Sequence, residues 1–126
     1  MDNIYKVRGI RGATTVDADR PDLILAATQE VLEAMITANV GLVPDDVVSA
    51  LFTVTDDLSA VHPALAARQM GWSLVPMMCA REIPVPGSMP MCIRVLLHWN
   101  TTSAQKEIKH VYLHNAVKLR PDLVNA

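Results

Sequence analysis

The sequence predicts an α+β domain: a mixed β-sheet with one long helix on one face and short helices beside it. Three observations carry this. Met91-Cys92-Ile93-Arg94-Val95-Leu96-Leu97-His98-Trp99 is apolar at every odd position, the period of a strand with one face in the core. Ile24, Ala27, Val31, Met35 and Ala38 recur at helical spacing, while Gln29, Glu30, Glu33 and Thr37 look outward. The element order is strand, helix, strand, short helix, strand, strand and then short pieces.

Taken in order, Ile4 to Thr15 reads as a first strand, and its Gly9 and Gly12 suggest a bend or a close approach to the backbone. Arg8 and Arg11 differ in parity, so one can be solvated while the other faces a pocket. Asp19-Arg20-Pro21-Asp22 starts the helix, with Asp19 as cap, and Val40-Gly41 stops it after about Asn39. Val47 to Thr55 is a second strand, burying Val48, Ala50, Phe52 and Val54. His62-Pro63-Ala64 opens a short helix that carries Arg68 and ends near Met70-Gly71. Trp72 to Ala80 is a third strand, with Val75, Met77 and Cys79 on one face. The prolines of Arg81-Glu82-Ile83-Pro84-Val85-Pro86-Gly87 then forbid an interior strand and leave Glu82 at a strand-to-loop junction. Beyond the Arg94 strand, Ala104 to Lys109 suggests a short helix, His110 to Leu113 a short strand, and Asn115 to Val117 another helical turn.

At 126 residues the chain fits one domain, 1–126, around one core. It is 51% hydrophobic with only 4% aromatic residues, and such apolar surplus in a small domain points to an oligomer with apolar interfaces. A net charge of −2 offers no basic footprint for nucleic acid or acidic membranes. Cys79 and Cys92 form no CxxC, and no run is long enough to span a membrane. A cytoplasmic protein is expected.

Arg94 is the chemical outlier. Its run reads as a buried strand, and a guanidinium buried on the second face among Cys92, Leu96 and His98 cannot lose its charge. It must meet an anion, either a carboxylate of the chain or a ligand. Hydrolytic and nucleotide-binding motifs are absent: there is no GxSxG, P-loop, HExxH or dinucleotide fingerprint. His110 and His114 lack a converging metal-ligand spacing, so no metal site is expected. Arginines, a glutamate, a tyrosine and a thiol remain. Such a set suits stabilisation of developing charge more than proton transfer.

Several blocks together resemble the monofunctional, β-rich chorismate mutases: Arg8-Gly9-Ile10-Arg11-Gly12-Ala13-Thr14-Thr15, Cys92-Ile93-Arg94-Val95, His110-Val111-Tyr112-Leu113, Leu119-Arg120-Pro121-Asp122-Leu123, and Cys79 with Glu82 three residues on. The resemblance covers almost the whole chain. It implies a homotrimer forming a pseudo-α/β-barrel, with active sites between subunits and no cofactor. The reaction would be the rearrangement of chorismate to prephenate in aromatic amino-acid biosynthesis. Arg94 would then donate to the breaking ether oxygen. Arg11 and Tyr112 would hold the side-chain carboxylate, and Glu82 with Cys79 the ring hydroxyl. Arg68 and Arg120 would stand near the mouth, with Ala64 and Met77 also against substrate. His62 and Leu65 depart from the family pattern, which has an aromatic wall and a lysine there. Two other readings use similar residues: a trimeric enamine/imine hydrolase, whose motifs are unmatched, and a non-catalytic module binding a small dicarboxylate.

Overall fold

A computed structural model describes residues 4–119. The strands are β1 (Lys6–Thr15), β2 (Val47–Val54), β3 (Met77–Arg81), β4 (Cys92–Thr101) and β5 (Val111–Tyr112); the helices are α1 (Pro21–Ala38) and α2 (Ala64–Gln69). Single 3-10 segments lie at Pro44–Asp46, Gln105–Glu107 and His114–Lys118. The strands form one sheet in the order β3-β2-β4-β1-β5. It is mixed: β4 runs antiparallel to β1 and β2, while β3 is parallel to β2 and β5 parallel to β1.

The alternation in β4 sets the layers. Ile93, Val95, Leu97 and Trp99 are all buried. Val95, Leu97 and Trp99 pack with Ile10, Ala50 and Phe52 of neighbouring strands, beneath Val31, Leu32 and Met35 of α1 and Ala64 and Ala67 of α2. Burying a side chain such as Leu97 or Phe52 contributes roughly 2–3 kcal/mol. Both helices thus cover the same face of the sheet, and the other face has no layer over it among the described residues.

Gly12 makes the helix-sheet contact possible. A Cβ at that position would collide with the Met35 side chain of α1, so β1 and α1 approach closely there. At its far end α1 stops at Asn39, and Gly41 takes a positive φ of 90°. The Asn39 amide also holds the chain before β5, donating to the Lys109 carbonyl and accepting from the Lys109 N–H, both at 2.9 Å.

Four local expectations are corrected. The N-cap of α1 is Arg20, with no side-chain cap; Asp19 instead accepts the N–H groups of Ser59 and Ala60 at 3.0 Å each, pinning the loop between β2 and α2. Val48 is 48% exposed, because the β2–β4 register slips between Val47 and Ser49 and turns Val47 inward in its place. Ala38, at the fraying end of α1, is exposed. The third strand starts only at Met77. Pro76 lacks an N–H and contributes just its carbonyl, which accepts from the Ala50 N–H at 2.9 Å.

Candidate active site

The uncovered face of the sheet carries the site, and the register assembles it. Thr53 of β2 lies opposite Arg94 of β4. Arg94 lies opposite Ala13 of β1, and Ala13 opposite Tyr112 of β5. Paired residues point to the same face, so these form one row across the sheet. With neighbouring strands about 4.8 Å apart, Arg94 and Tyr112 stand roughly 10 Å from each other, and the small Ala13 leaves the space between them open. Leu51, Leu96 and Arg11 form the next row. Glu82 enters from the end of β3, its N–H donating to the Val54 carbonyl at 3.0 Å.

Together they line a cavity of about 400 Å³ with Arg11, Ala13, Leu51, Thr53, Glu82, Arg94, Leu96 and Tyr112 on its walls. That is the size of a small-molecule site. Within it, Glu82 is already engaged: the Thr53 hydroxyl donates to its Oε2. Arg94 Nε lies 3.6 Å from the same oxygen, an ion pair longer than a hydrogen bond. Arg94 is not buried as the strand pattern suggested; its side chain is 45% exposed, because no helix covers this face. A carboxylate of the chain therefore meets Arg94, and the residue also lines the cavity.

Two other groups at the cavity lack a side-chain partner among the described residues. The Arg11 guanidinium makes no ion pair or hydrogen bond among the described residues; only its backbone N–H is used, donating to His110 Nδ1 at 2.9 Å. The Tyr112 hydroxyl is buried and also lacks a hydrogen-bond partner among them. Buried polar groups are ordinarily satisfied. A guanidinium fork and a phenol offer the kind of donors that a carboxylate accepts.

Other candidates lie elsewhere in the chain. Cys79 pairs opposite Phe52 and so faces the helical layer; it lines a second cavity of about 310 Å³ with His62, Pro63 and Arg81. No bulge turns Cys79 toward Glu82, so the two do not converge within one chain. Ala64 is buried against the core and Met77 half-buried beside it. Arg68, on the last turn of α2, is exposed, and Leu65 is half-buried. Arg120 lies outside the described residues. Arg8 is structural, its Nε donating to the Ser103 carbonyl at 3.0 Å. Cys92 is fully buried, and burial pushes its thiol up from the ordinary value against the pull of Arg94, so it carries no nucleophile. His114 pairs with Glu30 at 2.8 Å, and no group of three or more potential metal ligands occurs among the described residues. No described helix is long and apolar enough to cross a membrane.

Thr53 was not singled out in the sequence. Its polar place in an alternating strand was visible, but its position opposite Arg94 follows only from the pairing of β2 with β4.

Fold and site define a class: a mixed-sheet α+β protein whose uncovered face holds a cavity of small-molecule size lined by two arginines, a glutamate and a tyrosine. The chain belongs to the chorismate mutase type I family, whose sequence profile matches residues 7–123. It is 52% identical over 120 residues to a Thermus thermophilus protein named chorismate mutase AroH, covering 95% of this chain and 98% of that protein. With the chorismate mutase AroH of Bacillus subtilis it shares 48% identity over 118 residues, 93% of this chain and 92% of the relative. A solved chorismate mutase from Clostridium thermocellum superposes with a TM-score of 0.84 at 54% identity, covering 86% of this chain and 96% of the other.

Proposed function

We propose that this protein rearranges chorismate to prephenate, using the open-face cavity as one wall of the active site. Chorismate carries two carboxylates, an ether and a ring hydroxyl. The pericyclic step breaks the C–O bond while a C–C bond forms, with no covalent intermediate, so the protein must hold a compact conformer and stabilise charge on the departing oxygen. Arg94 is the donor to that oxygen, and Arg11 with Tyr112 binds the side-chain carboxylate. Glu82 accepts from the ring hydroxyl. The observation that supports this is that one cavity is lined both by Arg11, whose guanidinium makes no ion pair or hydrogen bond among the described residues, and by Tyr112, whose buried hydroxyl also lacks a partner among them.

The assembly is a homotrimer with active sites between subunits. Val7, 53% exposed, and Met78, 71% exposed, share the uncovered face with Leu51 and Leu96, and a second copy would bury them. Apposition of copies would also bring the Cys79–His62 cavity, Arg68, Ala64 and Met77 of one subunit toward the Arg94 cavity of another. Two free thiols fit a reducing compartment, and we place the enzyme in the cytoplasm.

The test is the loss of chorismate's ultraviolet absorbance on adding purified protein, with the product identified by NMR and the mass in solution read by light scattering. Turnover by a trimer is the expected result. Binding of chorismate without turnover would make the chain a dicarboxylate-binding module, and an active monomer would rule out the intersubunit site.

A further inference from the structure

We infer that Thr53 is a positioning residue for this reaction, fixing the Glu82 carboxylate so that one oxygen is held and the other faces substrate. The inference rests on the chorismate mutase reading above. Glu82 sits just past the last residue of β3, and a glutamate there has several rotatable bonds and many rotamers. Its backbone is tied to β2 through the Val54 carbonyl, and its side chain bends back over β2 to accept from the Thr53 hydroxyl. Thr53 is suited to that role. It is β-branched, so its χ1 is stiff on a strand, and it lies directly opposite Arg94.

The geometry divides the carboxylate. Oε2 receives Thr53 and faces Arg94 Nε at 3.6 Å. Oε1 accepts no hydrogen bond among the described residues and is the atom left for a ligand hydroxyl. Without Thr53, only the longer Arg94 contact would orient the carboxylate. The same ion pair would then be free to tighten, drawing Glu82 onto Arg94 and blunting the cation that must act on the ether oxygen. Thr53 thus keeps the acid and the arginine adjacent but separately available.

The test compares wild type, Thr53→Val and Thr53→Ser by kcat, KM and thermal midpoint, each also in a Glu82→Ala background. Valine keeps the shape and strand preference of threonine, so the fold should hold. A hydrogen bond to a charged group corresponds to about 10- to 100-fold, so kcat/KM should fall by that factor in Thr53→Val, and Thr53→Ser should retain activity within about threefold. In the Glu82→Ala background Thr53→Val should cost nothing further, because Thr53 acts only through that carboxylate. An active wild type with an unimpaired Thr53→Val overturns the inference, as does an equal loss with and without Glu82. A wild type that does not turn over chorismate overturns the parent reading first, and is distinguished by that control.

Discussion

Replacing Tyr112 by phenylalanine should make the ligand-free protein more stable and the enzyme worse. The opposed signs follow from one atom. The Tyr112 hydroxyl is buried and finds no hydrogen-bond partner among the described residues, so the free protein carries a desolvated polar group. Leaving such a group unsatisfied costs on the order of 1–3 kcal/mol. Removing the oxygen lifts that cost and keeps the ring, which packs unchanged. The thermal midpoint without ligand should therefore rise, by a few degrees for each kcal/mol in a chain of this size. A bound carboxylate would instead lose a charge-assisted donor, about 1.5–3 kcal/mol, which is roughly a 10- to 100-fold weaker KM or inhibitor constant. Differential scanning calorimetry of the free protein and steady-state kinetics of the same samples read the two effects. A lower midpoint in Tyr112→Phe would show that the hydroxyl is satisfied at rest, and an unchanged KM would show that no ligand uses it. Either result refutes the reasoning that joins them.

Two further predictions concern the frame around the site. Gly12→Ala places a Cβ into the end of the Met35 side chain, which is flexible but wholly buried. Overpacking of that kind costs about 1–3 kcal/mol, and denaturant unfolding should show the loss and its partial recovery in Gly12→Ala with Met35→Ala. The Asp19 carboxyl is held below its ordinary value of 3.8, chiefly by the Ser59 N–H, with help from the Ala60 N–H, the Ser59 hydroxyl and the Arg81 charge. A depressed carboxylate stabilises the folded state in full above its unfolded value and ceases to do so as pH falls through the lower folded value. Protection of the Ser59 and Ala60 N–H groups from hydrogen exchange, taken relative to their intrinsic rates, should therefore fall only below about pH 4, and Asp19→Asn, which keeps an acceptor but no charge, should abolish that step.

Much of this architecture was legible because it depends on local period and punctuation. The odd residues of β4 are buried because a strand alternates, and the loop after β3 follows from Pro84 and Pro86. What failed depends on neighbours. Arg94 was expected to be buried, yet one strand's pattern does not reveal whether a layer covers its second face; here both helices pack on the other. Val48 faces outward through a register slip that only the pairing with β4 defines. Asp19 lies one residue before the true cap and found its donors in the loop at Ser59 and Ala60, 40 and 41 positions away in sequence. The row Thr53, Arg94, Ala13, Tyr112 joins residues from distant parts of the chain. Sequence resemblance brought Arg11, Glu82, Arg94 and Tyr112 together, but not Thr53, which the register alone brings in. Cys79 and Glu82, three apart, have opposite parity on a strand, and with no bulge between them they stay on separate faces within one chain.

The most direct test of the electrostatic account is kcat at saturating chorismate for Arg94→Ala, with circular dichroism to establish that the variant is folded. A donor aimed at charge that develops only in the transition state typically contributes about 3–4 kcal/mol, or on the order of 100- to 1000-fold in rate. The account predicts that kcat falls by at least that factor while binding of chorismate weakens far less. A folded Arg94→Ala that keeps its kcat and loses only affinity would contradict it, and would reduce Arg94 to one more carboxylate clamp.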